Sequence, residues 1–568
     1  MENAMIYFDN AATAWPKPEH VYKFMDDFYR THGVNPGRSG YDLAIEAGTL
    51  LDRLRKRMTR FFGGDEDTPG RLVFGYNVTD ALNLIIPGLV SRGDHIVTTN
   101  LEHNSVIRPV NHMVRDHGAE ATYVPFDSAG FIDPVEIARA IRPNTKMVIV
   151  NHGSNVIGTV QPIAAIGRIC RELGITFVVD TAQTAGVIPI NMKEMNIDVV
   201  AFTGHKALMG SMGIGGLCIR KHVMVKQIRS GGTGVQSVNP YHLEEYPWRL
   251  EYGTPNMVGV AALWAGQDWL DENGVEQVHD REMKLADKLV EGLRAIDGVQ
   301  LYCCDSLQNH LSTVLINIQG LDPSDVSVML DVKYNIAVRT GLHCAPLVHK
   351  QLGTLERDGG VRFSIGAFNS EEEVYLAVAA IAGISKWASE RAAKSKASIK
   401  PAQSPQKTPE PVDIPTKTPR TNDRCPWKIG EVVFAGDCRD SAGHPFNADS
   451  YQVTLVSAET HLTIEVALTK TAANYAAEHL PETAHSQAFP GEMENNLVRC
   501  FVEEELRHHK WDPLETPWLT IDSHLVTELV ASFFSSLKHC NPSRRRSRGI
   551  SMELVFEGEA SSFPPMLG

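Results

Sequence analysis

A repeated rhythm narrows the possible fold most: a short apolar run, a polar tip, a helix-length stretch, then another apolar run. His95-Ile96-Val97-Thr98-Thr99 leads to Glu102-His103-Asn104, and Met147-Val148-Ile149-Val150 to Asn151-His152-Gly153-Ser154-Asn155. Ile175-Thr176-Phe177-Val178-Val179 ends on Asp180, followed by Thr181-Ala182-Gln183, and Val199-Val200-Ala201-Phe202 ends on Thr203-Gly204-His205-Lys206. Runs this short and this apolar suit strands buried on both faces. Helical stretches such as Ile163 to Leu173, stopped by Gly174, lie between them. The expectation is an α/β fold, a mostly parallel sheet covered by helices. In such sheets ligands sit beyond the carboxyl ends of the strands, where these tips fall.

The tips carry His103, Asn155, Asp180 with Gln183, and Lys206. A lysine at a strand end is a candidate Schiff-base amine, although most lysines are solvated surface charges. Its neighbours decide the matter, because together they suit pyridoxal phosphate (PLP). An acid such as Asp180 beside the pyridine nitrogen keeps that ring an electron sink. Asn155 and Gln183 suit the ring hydroxyl, His103 the ring face, and Thr203 and His205 the phosphate. Thr79, at an apparent strand-to-helix junction between Phe74 and Asn83, adds a helix N-terminus that favours an anion. Each residue alone also fits a bland role: helix cap, turn residue or satisfied core histidine. Their ordered recurrence at strand tips favours the PLP site.

Several motifs resemble the class V aminotransferase family: Tyr7-Phe8-Asp9-Asn10-Ala11-Ala12-Thr13, Asn35-Pro36-Gly37-Arg38, Glu102-His103, Ser154 to Thr159, Asp180 to Gln183, Thr203 to Lys206 and Tyr252-Gly253-Thr254-Pro255-Asn256. Arg339-Thr340-Gly341-Leu342-His343-Cys344-Ala345 and Arg362-Phe363-Ser364 resemble its group II (SufS-type) cysteine desulfurases. The resemblance covers about residues 5–390. It implies a PLP-dependent fold of type I, with a mostly parallel seven-stranded sheet and a smaller α+β domain, working as a homodimer. It also implies that Lys206 carries the cofactor, Asp180 pairs with its ring nitrogen, and Gln183 and Asn155 lie near the ring oxygen. Thr79, Thr203 and His205 would bind phosphate, and Thr254 the phosphate in the other subunit. Arg362 would grip the substrate carboxylate, with Arg339, Asn155 and Asn10 completing the substrate contacts.

Cys344 decides which reaction the resemblance implies. Free cysteines are commonly small buried hydrophobes, and Cys170, Cys218, Cys303 and Cys304 fit that description. Cys344 lies instead in a polar, glycine-containing stretch behind Arg339 and His343, where cationic neighbours favour a nucleophilic thiolate. The implied activity moves sulfur from L-cysteine to Cys344 as a persulfide and releases L-alanine, with Lys206 and His103 handling protons. The chain departs from the SufS pattern at Gly37, Tyr41, Asn77 to Asp80 and Asn104. Selenocysteine lyase, another class V enzyme (an aminotransferase or β-lyase on a small amino acid) and a non-catalytic scaffold therefore remain as alternatives.

The 568 residues carry a net charge of −14, which argues against nucleic acid or a membrane surface as the main partner. No apolar run approaches the roughly 20 residues of a membrane span. Tyr7-Phe8-Asp9 follows the start closely, without a signal-peptide pattern, and the nine cysteines show no framework spacing, so a reducing, cytoplasmic setting is expected. Residues 1–390 are expected to form the PLP unit, its large domain about 15–255 and its small domain 1–14 with 256–390. Residues 391–424, with Pro401, Pro405, Pro409, Pro411, Pro415 and Pro419, have linker composition.

Residues 425–568 suggest a separate α+β domain. Its expected strands are Glu431 to Phe434, Tyr451 to Ser457, Leu462 to Leu468 and Ile550 to Phe556; its expected helices are Met493 to His509 and Ser523 to Leu537. Cys438, His444, Cys500, His508, His509, His539 and Cys540 lack the pair-and-pair spacing of a metal site, so no metal is expected. Arg544 to Arg546 suit a solvated loop. A sulfur acceptor is expected, either a separate protein or this tethered domain through Cys425, Cys438 or Cys540.

Overall fold

The computed structural model describes residues 5–36, 40–398, 428–439, 445–456, 461–469 and 518–521. The chain divides into two units, Met1–Lys400 and Pro401–Gly568.

The first unit is built on a seven-stranded sheet. Its order is Leu72–Gly75, Gly215–Ile219, Val199–Thr203, Thr176–Asp180, Thr145–Asn151, His95–Thr99, Glu120–Val124. Gly215–Ile219 runs antiparallel to both neighbours, and the other pairings are parallel. Alternate side chains enter two separate cores: Val148, Val150, Phe177 and Val179 on one face, Met147, Ile149 and Val178 on the other. Period-two alternation with both faces apolar explains the continuous runs. Each such side chain stabilises the fold by roughly 1.5–3 kcal/mol. Gly215 and Gly216 open the antiparallel strand. At Gly215 a Cβ would lie 2.6 Å from the Phe202 carbonyl oxygen and 2.8 Å from Asn77 Cα, so only glycine lets the next helix start approach this closely.

A four-stranded antiparallel sheet follows, ordered Arg339–Gly341, Gly360–Ser364, Thr313–Ile318, Val299–Tyr302. Leu285, Leu289 and Leu293 of the helix Val275–Arg294 pack on it, with Val374, Ala377, Ile381 and Ile384 of the helix Glu371–Ser398. The start of the chain joins this region: Ile6–Tyr7 pairs in parallel with Ile336–Ala337. The last helix runs to Ser398, into the stretch 391–424 that was assigned to the linker. Arg391-Ala392-Ala393-Lys394 are good helix formers, and the first proline comes only at Pro401.

In the second unit Lys428–Arg439, Pro445–Val456, His461–Thr469 and Trp518–Ile521 form one sheet in that order. The first three overlap the expected strands, with Ser457 of the second lying outside the described residues. Trp518–Ile521, which adds in parallel to His461–Thr469, was not expected from the sequence. The expected helices Met493 to His509 and Ser523 to Leu537, the strand Ile550 to Phe556 and the Arg544 to Arg546 loop lie outside the described residues. So do His444, Cys500, His508, His509, His539, Cys540 and Cys425.

Candidate active site

The sheet tips converge as the runs suggested. Asp180 closes its strand, 3 % exposed, and its Oδ1 accepts the Ala182 N–H at 2.9 Å. Burial pushes its carboxyl above the usual range, while that hydrogen bond and Lys206 oppose the rise. Lys206, three residues beyond the adjacent strand Val199–Thr203, stays partly accessible. Desolvation brings its amine down to about 8; Asp180 holds it up, and Arg362 and Arg339 lower it further. Half of such an amine is neutral near that pH, the form that attacks a carbonyl.

His103 caps the helix Asn104–His117: its Nδ1 accepts the Ser105 N–H at 3.0 Å, so in the neutral ring Nε2 carries the proton. Burial lowers it to about 4, helped by the positive charges of Lys206, Arg339, Arg108 and Arg362. Arg362 is 1 % exposed. Its Nη1 donates to the Asn155 carbonyl at 2.9 Å, and its Nη2 pairs with Asp9. Two of its three nitrogens are thus engaged, and Nε has no partner. Arg339 stands opposite Arg362 across the small sheet.

Cys344 enters from the loop after Arg339–Gly341. The Asn155 side chain donates to the His343 carbonyl at 2.7 Å, and the Asn104 N–H to the Cys344 carbonyl at 2.7 Å. Two sheet tips therefore hold the backbone of His343 and Cys344. Arg339 Nη2 lies 4.0 Å from the Cys344 sulfur. The sequence suggested His343 as a second cation there. Burial instead drives it well below the usual histidine range, so Arg339 supplies the positive charge.

The other candidates are placed as follows. Thr203 is buried; its register partner Gly215 packs against Asn77, which opens the helix carrying Thr79. Thr79 is exposed at that helix start, and His205 is half-buried and lowered to about 4 by burial. Gln183 donates to the Ala11 carbonyl at 3.0 Å. Asn10 spends its amide on the Ser364 carbonyl at 3.0 Å, on Asn369 and on Tyr7, fastening the N-terminal segment to the small sheet. Thr254 stands exposed before the helix Met257–Asn273. Buried polar atoms without a partner gather here: Asn155 Oδ1, Thr203 Oγ1, His205 Nδ1 and Arg362 Nε. Such orphans are costly unless a polar guest meets them.

Three contributors were not singled out from the sequence. Asp9 neutralises Arg362, though it sits in the quoted Tyr7 to Thr13 motif. Lys17, lowered to about 7 by burial, donates to the His205 carbonyl beside Lys206. Glu102 is fully buried; its Oε1 accepts from Thr99 Oγ1 at 2.7 Å and the Asn151 N–H at 3.1 Å, and burial raises it to about 8. The apolar run before Glu102 was a signal for burial; Lys17, between two prolines, offered none.

The family model described as aminotransferase class-V matches residues 6–376. A probable cysteine desulfurase of Methanothermobacter thermautotrophicus is 34 % identical over 376 residues, 65 % of this chain and 92 % of that protein. Its counterpart in Pyrococcus abyssi is 35 % identical over 379 residues, covering 65 % and 92 %. Among solved structures, the apo cysteine desulfurase of Thermococcus onnurineus superposes with a TM-score of 0.64 at 35 % identity, covering 68 % of this chain and 95 % of that one. Escherichia coli CsdA, a cysteine desulfurase solved with an S-sulfonic acid, gives 0.61 at 26 %, covering 69 % and 96 %. The second unit lies beyond the family match. The chain thus belongs to the class-V aminotransferase family, where its relatives are cysteine desulfurases.

Proposed function

We propose that this protein is a PLP-dependent cysteine desulfurase that moves sulfur from L-cysteine to Cys344 and releases L-alanine. The observation that carries this reading is the Cys344 loop, fastened to the tips of Asn155 and Asn104 that flank the Lys206–Asp180 pair. The orphaned atoms of Thr203, His205 and Asn155 suit the cofactor: Thr203 and His205 with the Thr79 helix start would take its phosphate, Asn155 with Gln183 its ring oxygen, and Asp180 its ring nitrogen. Lys206 would hold it through its amine, and His103 would cover its ring. When bound, PLP draws electrons away from the substrate's α-carbon.

The chain's own groups supply the rest. Arg362 Nε, with Arg339 nearby, meets the substrate carboxylate. Lys206 Nζ takes the α-proton, and His103 Nε2 is placed to return one. The Cys344 thiolate attacks the substrate sulfur; the sulfur–carbon bond breaks, its electron pair stays on carbon, and that carbon takes a proton on the way to alanine. Arg339 balances the thiolate charge.

We also read the active form as a cytoplasmic homodimer. The exposed Thr254 is then free to reach the partner's phosphate, and Val238 and Tyr241, 98 % and 81 % exposed, lie on the segment leading to it. No helix among the described residues is long and apolar enough to cross a membrane. The sulfur then passes to an acceptor, a separate protein or a cysteine of the second unit; mass spectrometry after turnover locates the persulfide.

The test is purified protein with L-cysteine, with L-selenocysteine as a second arm. Alanine with one sulfide per turnover under reducing conditions is expected. Cys344→Ala should lose sulfide release while keeping the visible absorbance of the bound cofactor. Unchanged cysteine turnover in that variant refutes the proposal.

A further inference from the structure

The Cys344 loop is an awkward piece of backbone. His343 and Cys344 both have positive φ, 49° and 56°, and Gly341, two residues before His343, has φ 94°. Non-glycine residues rarely adopt this region, and two in succession persist only when their surroundings over-determine them. The carbonyls of both residues are held by Asn155 and Asn104, as described. The side-chain support comes from a residue outside the motif.

His343 Nε2 lies 3.2 Å from the Arg339 carbonyl, and its Nδ1 lies 3.3 Å from His349 Nε2. His349 Nδ1 lies 2.8 Å from Thr354 Oγ1. All three side chains are buried, at 3 %, 0 % and 1 % exposure. A carbonyl only accepts, so His343 Nε2 must carry the proton. In a neutral ring Nδ1 then accepts, which makes His349 Nε2 the donor. His349 Nδ1 accepts in turn, and the Thr354 hydroxyl donates to it. Every link has one permitted direction, from Thr354 to the Arg339 carbonyl. A second arm leaves the same threonine: the Gly359 N–H donates to the Thr354 carbonyl at 3.0 Å, and Gly359 packs so tightly on Gly341 that a Cβ there would come within 2.0 Å of the Gly341 oxygen. Thr354 thus supports both ends of the segment that presents Arg339 and Cys344.

We propose that His349 is a positioning residue for sulfur transfer: with Thr354 it forms a one-way hydrogen-bonded strut that holds His343, and through it aims the Cys344 thiol at the substrate sulfur. The inference rests on the proposed cysteine desulfurase reaction. It predicts that the strut affects attack by Cys344 and leaves cysteine binding at Arg362 and Lys206 alone.

The test compares His349→Leu with His349→Gln, which keeps a donor toward His343, and Thr354→Val with Thr354→Ser, which keeps the hydroxyl. His349→Leu and Thr354→Val should lower kcat for alanine formation about tenfold or more, with KM for cysteine within about twofold of the parent. His349→Gln and Thr354→Ser should recover most of the loss. A readout without substrate uses the Asn104 N–H, which starts its helix and so has no partner within it. Its hydrogen exchange should quicken in His349→Leu, as the Cys344 carbonyl lets go, and stay near the parent rate in His349→Gln. Leu and Gln variants that fall together, a loss confined to KM, or unchanged exchange at Asn104 would overturn the strut. Absence of cysteine turnover in the parent protein refutes the proposed reaction instead, and the Asn104 exchange then still judges the strut.

Discussion

Lys206 and Cys344 serve one site from two kinds of structure. Lys206, Asp180, His103 and Asn155 sit at the ends of buried strands, with apolar layers on both faces fixing where each tip points. Cys344 sits on a loop whose backbone turns left-handed three times within four residues and is tied to the tips by hydrogen bonds. The tips are determined by the sheet and suit one cofactor chemistry. The loop is determined by a few polar contacts, and small changes there can redirect the reaction without touching the tips. Cofactor and reaction are therefore separable in this chain.

The comparison breaks most sharply at Lys206. Lys206→Ala should abolish both cofactor retention and alanine formation, a loss on the order of 10⁴-fold, read from visible absorbance and product analysis. If that variant kept the absorbance of a covalently held cofactor, the tip half would have been misassigned. A smaller effect is expected at Gly341, where a Cβ meets no atom within 4 Å but φ is 94°. Gly341→Ala should cost roughly 1–2 kcal/mol of local strain and lower turnover at least tenfold, with the cofactor spectrum unchanged. Loss of the cofactor signal in that variant would show that loop and tips are not separable.

The last effect concerns Glu102, beneath the tips, and falls on stability rather than on turnover. Its folded carboxyl titrates near 8, against about 4.5 when unfolded. The acid is therefore protonated in the fold, and its contribution is complete below the unfolded value. Stability should decline as pH rises from about 5 through 8, because the unfolded chain releases the proton first. Glu102→Gln should remove that decline, on the order of a few kcal/mol, as a Tm difference from the parent that shifts in favour of the variant at pH 8. Equal pH dependence in both would mean that the tip layer accommodates a charge there.

The sheet was readable because its signal is local: each strand states its own burial through a continuous apolar run, and each tip follows in the chain. Lys206, Asp180, His103 and Asn155 were found that way, and Cys344 came from the motif around it. The neutrality of His343 was not readable, since its main causes, burial and then the Arg362 charge, arise only once the chain is folded. Nor was the pairing of Asp9 with Arg362, 353 positions apart. The extension of the last helix to Ser398 was missed because lysine, serine and alanine suit both a helix and a linker.

By itself the amino-acid order determined the α/β class, the strand tips and the identity of the groups at them, because hydrophobic periodicity and neighbouring residues are short-range properties. The tertiary structure alone decided which of those groups carry charge, which donors are already spent, and what holds the Cys344 loop. Desolvation and hydrogen-bond direction depend on atoms brought together from distant parts of the chain, and no local pattern records them.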